Sequence, residues 1–236
     1  MANKTVVLVH GAFAESASWN STISLLQAQG YSVIALANPL RGVQKDAAYL
    51  ASLLETIQGP IVLVGHSYGG MVITSAATGN RNVKALVYVA GFAPEKGESA
   101  AQLSARYPGS TLDPALASPV ALPEGGKDLY IQPDKFWLQF AADVREDEAK
   151  VMAVTQRPCT EAALNEPSPT EAAWKTTPSW FIFGELDKNI PAAVHTFMAQ
   201  RAESRETIQI KGASHVVMIS HPDEVAQLIA AAAEAS

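Results

Sequence analysis

Short unbroken apolar runs alternate along the chain with longer stretches in which apolar residues recur every three or four positions. The first run, Thr5 to Val9 (TVVLV), is β-branched and apolar and ends at His10-Gly11, which predicts a central parallel strand opening into a loop. Residues 16–29 then carry Trp19, Ile23, Leu25 and Leu26 at helical spacing, and Gly30 closes the segment. Tyr31 to Ala37 predicts the next strand, stopped by Asn38-Pro39, and residues 46–57 predict a helix through Ala47, Leu50, Leu53, Leu54 and Ile57. After Gly59-Pro60, Ile61 to Val64 has the continuous apolar character of a strand buried on both faces. Further strands are predicted at Val83 to Ala90, Trp180 to Phe183 and Thr207 to Ile210. Helices are predicted from Pro191 to about Ala202 and from Pro222 onward, where Asp223 and Glu224 complement the amino-end dipole. About six strands alternating with helices imply an α/β fold, a mostly parallel sheet covered on both faces.

The rhythm fails between Phe92 and Thr177. The prolines at 94, 108, 114, 119, 123, 133, 158, 167 and 169 all fall in this segment, which argues against another βα unit. A long insertion after the carboxyl end of a sheet strand lies where α/β proteins bind ligands, so residues 92–177 are expected to form a cap over a site on one α/β domain. The cluster Lys135-Phe136-Trp137-Leu138-Gln139-Phe140 and Met152 supply apolar surface either to a substrate or to the packing of the cap on the body.

Composition narrows the function. With 236 residues, 48% hydrophobic and 17% charged, the chain fits one soluble domain with a substantial core. Its net charge of -6 supports neither a nucleic acid nor an anionic membrane as partner. Cys159 is the single cysteine, so neither an intrachain disulfide nor a cysteine metal cluster can form, and HExxH is absent. No metal and no cofactor are expected. The apolar run near the amino end is too short for a signal h-region, and a cytoplasmic location is expected.

The chemistry centres on Gly65-His66-Ser67-Tyr68-Gly69, a G-x-S-x-G between a predicted strand and a run of small and apolar residues suited to a buried helix. A strand that becomes a helix within so few residues strains the apex, and glycines on both sides relieve the crowding. Serine at that apex is a nucleophile elbow; its structural alternative is a helix N-cap. Gly65 to Gly70 also has P-loop glycine spacing, but Met71 and Val72 stand where that motif needs lysine and a hydroxyl.

A serine hydroxyl needs a base to take its proton, and histidine has the right ordinary pKa. Of five histidines, only His215 sits on a loop directly after a predicted strand and later in the chain than a similarly placed acid; His195 lies within a helix and His10 reads as a structural loop residue. Asp187, after the penultimate strand, is the preferred acid over Glu185, Glu95 and Glu98, because the order Ser, Asp, His on successive strand-end loops suits this elbow. The oxyanion donors are expected to be the backbone N–H groups of Tyr68 and Ala12, with Gly11 letting the loop bend inward. Phe13 and Trp137 are candidate substrate contacts.

HGAF, GHSYGG, FGELD and ASH, in this order, resemble the α/β-hydrolase superfamily over essentially the whole chain except the cap. A start directly at the His10-Gly11 strand, without the two preceding strands many members have, is similar to the compact branch of plant methyl-ester esterases and hydroxynitrile lyases. Lyases of that branch place lysine immediately after the catalytic histidine, where this chain has Val216; dehalogenases and epoxide hydrolases place aspartate at the elbow, where it has Ser67. The resemblance therefore implies an esterase acting on a small to medium uncharged ester. Lactone, amide or C–C hydrolysis and cyanohydrin cleavage are the alternatives within the same triad, and a non-catalytic ligand receptor is the alternative of another class.

Overall fold

The structure is a computed structural model that describes residues 4–235. The chain opens with β1 (Thr5–Val9), α1 (Asn20–Ala28), β2 (Ser32–Leu36), α2 (Val43–Glu55), β3 (Ile61–His66), α3 (Gly69–Ala76) and β4 (Val83–Val89). A long insertion follows, with α4 (Ala100–Ser104), β5 (Val120–Ala121), β6 (Lys127–Leu129), α5 (Pro133–Phe140), α6 (Glu146–Thr155), β7 (Cys159–Thr160) and α7 (Glu161–Asn165). The main sheet then resumes with β8 (Ser179–Gly184), α8 (Ala192–Arg201) and β9 (Glu206–Ile210), and the chain closes on α9 (Val217–Ser220) and α10 (Pro222–Glu234).

The main sheet runs β2-β1-β3-β4-β8-β9, and each of its neighbouring pairs is parallel. Every residue of β1, β3 and β8 is buried, which is why these strands read as unbroken apolar runs. The edge strands β2 and β9 keep exposed positions and polar side chains such as Ser32, Glu206 and Gln209. From β1 the chain runs outward to β2 and returns past β1 to β3, so right-handed crossovers put α1 and α2 on opposite faces. Consistent with this, α10 packs on α1 and across β3, β4 and β8, whereas α2 pairs with α3. The reversal leaves a crevice at the carboxyl ends of β1 and β3, the place where open α/β sheets take ligands.

The insertion between β4 and β8 is more regular than its prolines suggested. It contains α4 to α7 and a three-stranded antiparallel sheet, β5-β6-β7, whose strands of two or three residues are too short to produce a readable period. Its two ends are zipped together: Gly97 N–H donates to Ser168 O at 2.9 Å, Ser168 N–H to Glu98 O at 2.9 Å, and the Trp174 indole to Pro94 O at 2.9 Å. Its far side is clamped to the loop after β2, where Arg41 reaches Asp128 Oδ1 at 2.6 Å and Pro158 O at 3.0 Å.

Beyond shifts of element ends, two features near the site differ from the sequence reading. The helix expected from Asp46 starts at Val43 with Gly42 as its N-cap, and the Asp46 carboxylate folds back from the first turn to accept the N–H groups of Arg41 and Gly42, which fixes the chain entering the helix. A short helix, α9, also forms between the His215 loop and Pro222.

Candidate active site

Ser67 sits between β3 and α3 with φ of 52°, in the left-handed region that costs a non-glycine residue energy. The strain is held in place by the backbone: Ser67 N–H donates to Ala90 O at 3.1 Å, and Ser67 O accepts from Phe92 N–H at 3.1 Å and Gly70 N–H at 2.9 Å. The turn is tight enough that a Cβ on Gly69 would lie 2.4 Å from Val9 O, so only glycine lets α3 begin this close to β1. The elbow expected from G-x-S-x-G is present in its strained form.

The loop after β9 brings His215 to the same end of the sheet. Its Nδ1–H donates to Asp187 Oδ2 at 2.6 Å, and Asp187 stands on the loop after β8, as the order of the motifs implied. Asp187 is buried, and burial alone would raise its pKa. The His215 and His195 rings, with two backbone donors at Asn189 (2.8 Å) and Ile190 (3.0 Å) on Oδ1, outweigh that and hold the carboxyl well below the usual carboxylate range. His215 Nε2 makes no hydrogen bond among the described residues, so the nitrogen turned away from Asp187 is unengaged. Glu185 takes a different partner, accepting from Gly212 N–H at 2.9 Å, and Glu98 pairs with Arg201 at 2.8 Å, so neither competes for His215.

The other histidines set the frame. His66, the last residue of β3, donates Nε2–H to His215 O at 3.2 Å and lies 4.8 Å from the His215 ring; burial, reinforced by His215, pushes its pKa well below the ordinary value. His10 accepts Asn38 N–H on Nε2 at 3.0 Å and donates Nδ1–H to Gly11 O at 2.9 Å, pinning the loops after β1 and β2 to each other. Burial lowers its pKa to about 4, so it is neutral at neutral pH.

Ala12 and Tyr68 lie on the two loops that flank Ser67, and among the described residues neither backbone N–H donates to a protein acceptor. The neighbouring Phe13 N–H is spent on Arg157 O at 3.1 Å, so the insertion fixes the loop that carries Ala12. The Tyr68 phenol is buried and donates to Asp46 Oδ2 at 2.8 Å, which anchors the elbow to α2.

Ser67, His215, Ala12 and Tyr68 border one cavity of about 350 Å³. Much of the rest of its wall comes from the insertion, with Ala101, Ala105, Leu112 and Phe140 among the lining residues, and Asp113 is its one charged side chain among the described residues. Phe13 lines this cavity and packs edge-on against Phe140 at 6.2 Å. Trp137 does not line it. Its indole instead donates to Val144 O at 3.0 Å and packs α5 onto its own loop, so of the apolar cluster on α5 it is Phe140 that faces the cavity. Met152 lines a separate surface groove on the other side of Phe13. Helical spacing could mark α5 as amphipathic, but it could not say which rim residue of the apolar face meets solvent, body or cavity.

The sequence matches the profile of the alpha/beta hydrolase family over residues 6–228. The chain belongs to that family. Among its relatives, norfluorocurarine synthase 2 from Strychnos sp is 26% identical over 97% of this chain and 96% of its own length, and alpha-hydroxynitrile lyase from Arabidopsis thaliana is 25% identical over 96% of each. The crystal structure of polyneuridine aldehyde esterase superposes with a TM-score of 0.83 at 21% identity, covering 98% of this chain and 99% of that one, a likeness of fold. This alpha/beta hydrolase thus shares its fold with polyneuridine aldehyde esterase. His195 is the site residue that sequence reading set aside. It lies on the first turn of α8, and its Nε2–H donates to Asp187 Oδ2 at 3.3 Å. A histidine four residues after the proline that opens a helix beside the acid loop was the available signal.

Proposed function

We propose that this protein is a cofactor-independent serine hydrolase, a carboxylesterase for small to medium uncharged esters. The observation that carries the reading is the His215 ring held on Asp187 by Nδ1 while Ser67 opens on the same cavity. Ser67 Oγ attacks the ester carbonyl as His215 Nε2 takes its proton, and the N–H groups of Ala12 and Tyr68 receive the oxyanion. His215 then gives the proton to the departing alkoxide, and water attacks the acyl-enzyme by the same route in reverse. Asp187 is the positioning residue that fixes the imidazole tautomer and favours the imidazolium. The small volume and the single charged wall residue support a substrate without charge and of about drug-fragment size.

The names of the relatives include a synthase, a lyase and an esterase, so family membership leaves the reaction open. A specific observation favours ester hydrolysis over cyanohydrin cleavage: Val216 is fully buried, and no lysine lines the cavity among the described residues, so no ammonium is available to take up cyanide there. The test is turnover of p-nitrophenyl esters of increasing acyl length by the protein and by Ser67→Ala, with labelling of Ser67 by a fluorophosphonate. Activity that is lost in Ser67→Ala, with labelling at Ser67, upholds the proposal. Tight ligand binding without labelling or turnover would replace it with a receptor on the same fold.

A further inference from the structure

The acid of this site is shared between two histidines. Asp187 Oδ2 accepts from His215 Nδ1–H at 2.6 Å and from His195 Nε2–H at 3.3 Å, while Oδ1 is taken by the N–H groups of Asn189 and Ile190. His195 is fully buried and does not border the cavity, so it cannot meet a substrate. Its orientation is built in: Pro191 opens α8, His195 N–H hydrogen-bonds Pro191 O, and the imidazole stacks on Phe183 of β8 with centroids 4.8 Å apart and planes 19° apart. A ring clamped by a strand aromatic and aimed at the one carboxylate that holds His215 is more than core filling, since an apolar side chain could occupy the space but would leave the carboxylate one donor short.

We propose that His195 is a positioning residue for the catalytic acid, a second neutral imidazole that holds the Asp187 carboxylate in line with His215 and tunes how strongly it stabilises the His215 imidazolium. The inference rests on the hydrolase reading for its kinetic consequence. Burial pushes the His195 pKa below the ordinary imidazole value, so His195 serves as a neutral N–H donor and adds no charge to the site. The other titratable groups around the pair are few. His66 from β3 donates to His215 O, and His10 lies behind it on the β1 loop. Asp143 of the insertion accepts from Ser214 Oγ beside His215 and lies 3.6 Å from His221 Nε2. Lys188, although adjacent to Asp187, sends its ammonium outward to Leu138 O.

A donor on Oδ2 draws off part of the charge that His215 would otherwise feel. Removing it makes the carboxylate a stronger partner for the imidazolium, so the acid limb of the rate profile moves up. The expected shift for His195→Leu, or for the unbranched His195→Met, is about half to one pH unit, with a lower plateau from the less constrained carboxylate. His195→Gln, whose amide can still donate to Oδ2, restores most of the wild-type profile.

The experiment follows the pH dependence of Ser67 labelling by a fluorophosphonate and of p-nitrophenyl acetate kcat/KM in these variants, with near-UV circular dichroism as the check of folding. Nitrogen-15 chemical shifts of His195 in the unaltered protein give its tautomer directly. An Nε2–H tautomer, an upward-shifted acid limb in the apolar variants and its reversal in His195→Gln uphold the proposal. Folded apolar variants with an unmoved acid limb, or an Nδ1–H tautomer at His195, overturn it. Failure of the unaltered protein to label at Ser67 would sink the hydrolase reading alone, because the tautomer still decides whether His195 serves Asp187.

Discussion

Gly69→Ala tests whether the elbow's close approach to the sheet is what sets the nucleophile. A Cβ there would lie 2.4 Å from Val9 O and 3.0 Å from His10 O, against an ordinary carbon–oxygen contact of about 3.3 Å. The worst overlap is therefore about 1 Å, and both partners are backbone atoms. No rotamer change relieves it. Val9 is the last residue of β1, paired with β2 on one side and β3 on the other, so the start of α3 has to retreat and take Ser67 and Tyr68 with it. Overpacking of this kind costs about 1–3 kcal/mol, and for a chain of this size about 2 kcal/mol lowers Tm by about 4–8 °C. On the proposed mechanism, a displacement near 1 Å of Ser67 and of the Tyr68 N–H should lower kcat for p-nitrophenyl acetate by about a hundredfold. The assay pairs thermal unfolding with steady-state kinetics, beside Ala76→Gly at the far end of α3, which should cost about 1 kcal/mol with little change in kcat. A folded Gly69→Ala protein with kcat within about threefold of the parent would refute the geometric argument.

Acid should begin to destabilise the fold from about pH 6.5 downward, above the range in which ordinary carboxylates titrate. His10 is neutral in the fold with a pKa of about 4 against an ordinary 6.5, so between these values the unfolded chain takes up a proton that the folded chain refuses. Stability is then unaffected above pH 6.5 and falls by about 3 kcal/mol from this group on descent to pH 4. His66 and His195 act in the same direction, and the stability held by the depressed Asp187 carboxyl is lost only below the ordinary carboxylate pKa. A urea midpoint that stays constant from pH 7.5 to pH 4.5 would contradict this. Phe140→Ala should reduce kcat/KM for p-nitrophenyl esters by about tenfold or more, because it removes the cavity wall that also packs on His215 at 5.1 Å, whereas Trp137→Phe should leave kcat/KM within about threefold. Equal losses in the two variants would return Trp137 to the substrate side. Arg41→Met, which releases both Asp128 and the Pro158 carbonyl, should loosen the insertion and raise hydrogen exchange in β6 and β7 ahead of the main sheet, and uniform exchange would argue against that clamp.

Much of this protein was determined by local sequence. Apolar runs, continuous in β1, β3 and β8 and broken only by the exposed Lys84 in β4, mark these strands because central parallel strands are buried on both faces, and the G-x-S-x-G between strand and helix marks the elbow because its glycines allow the close approach that the turn requires. The placement of Asp187 and His215 was legible for the same reason: loops after parallel strands all emerge at one end of the sheet. What local pattern could not encode is contact between elements distant in the chain. Trp137 and Phe140 share the same helix and similar apolar character, and only the packing of α5 against the body turns Phe140 to the cavity and Trp137 away from it. His195 looks like any helical histidine until α8 docks and presents it to the Asp187 carboxylate, and Asp46 looks like a helix-start residue until it receives the Tyr68 hydroxyl. Periodicity reports which side of an element is apolar. The partner that side meets is fixed by the sheet order and by the clamps that hold the insertion across it.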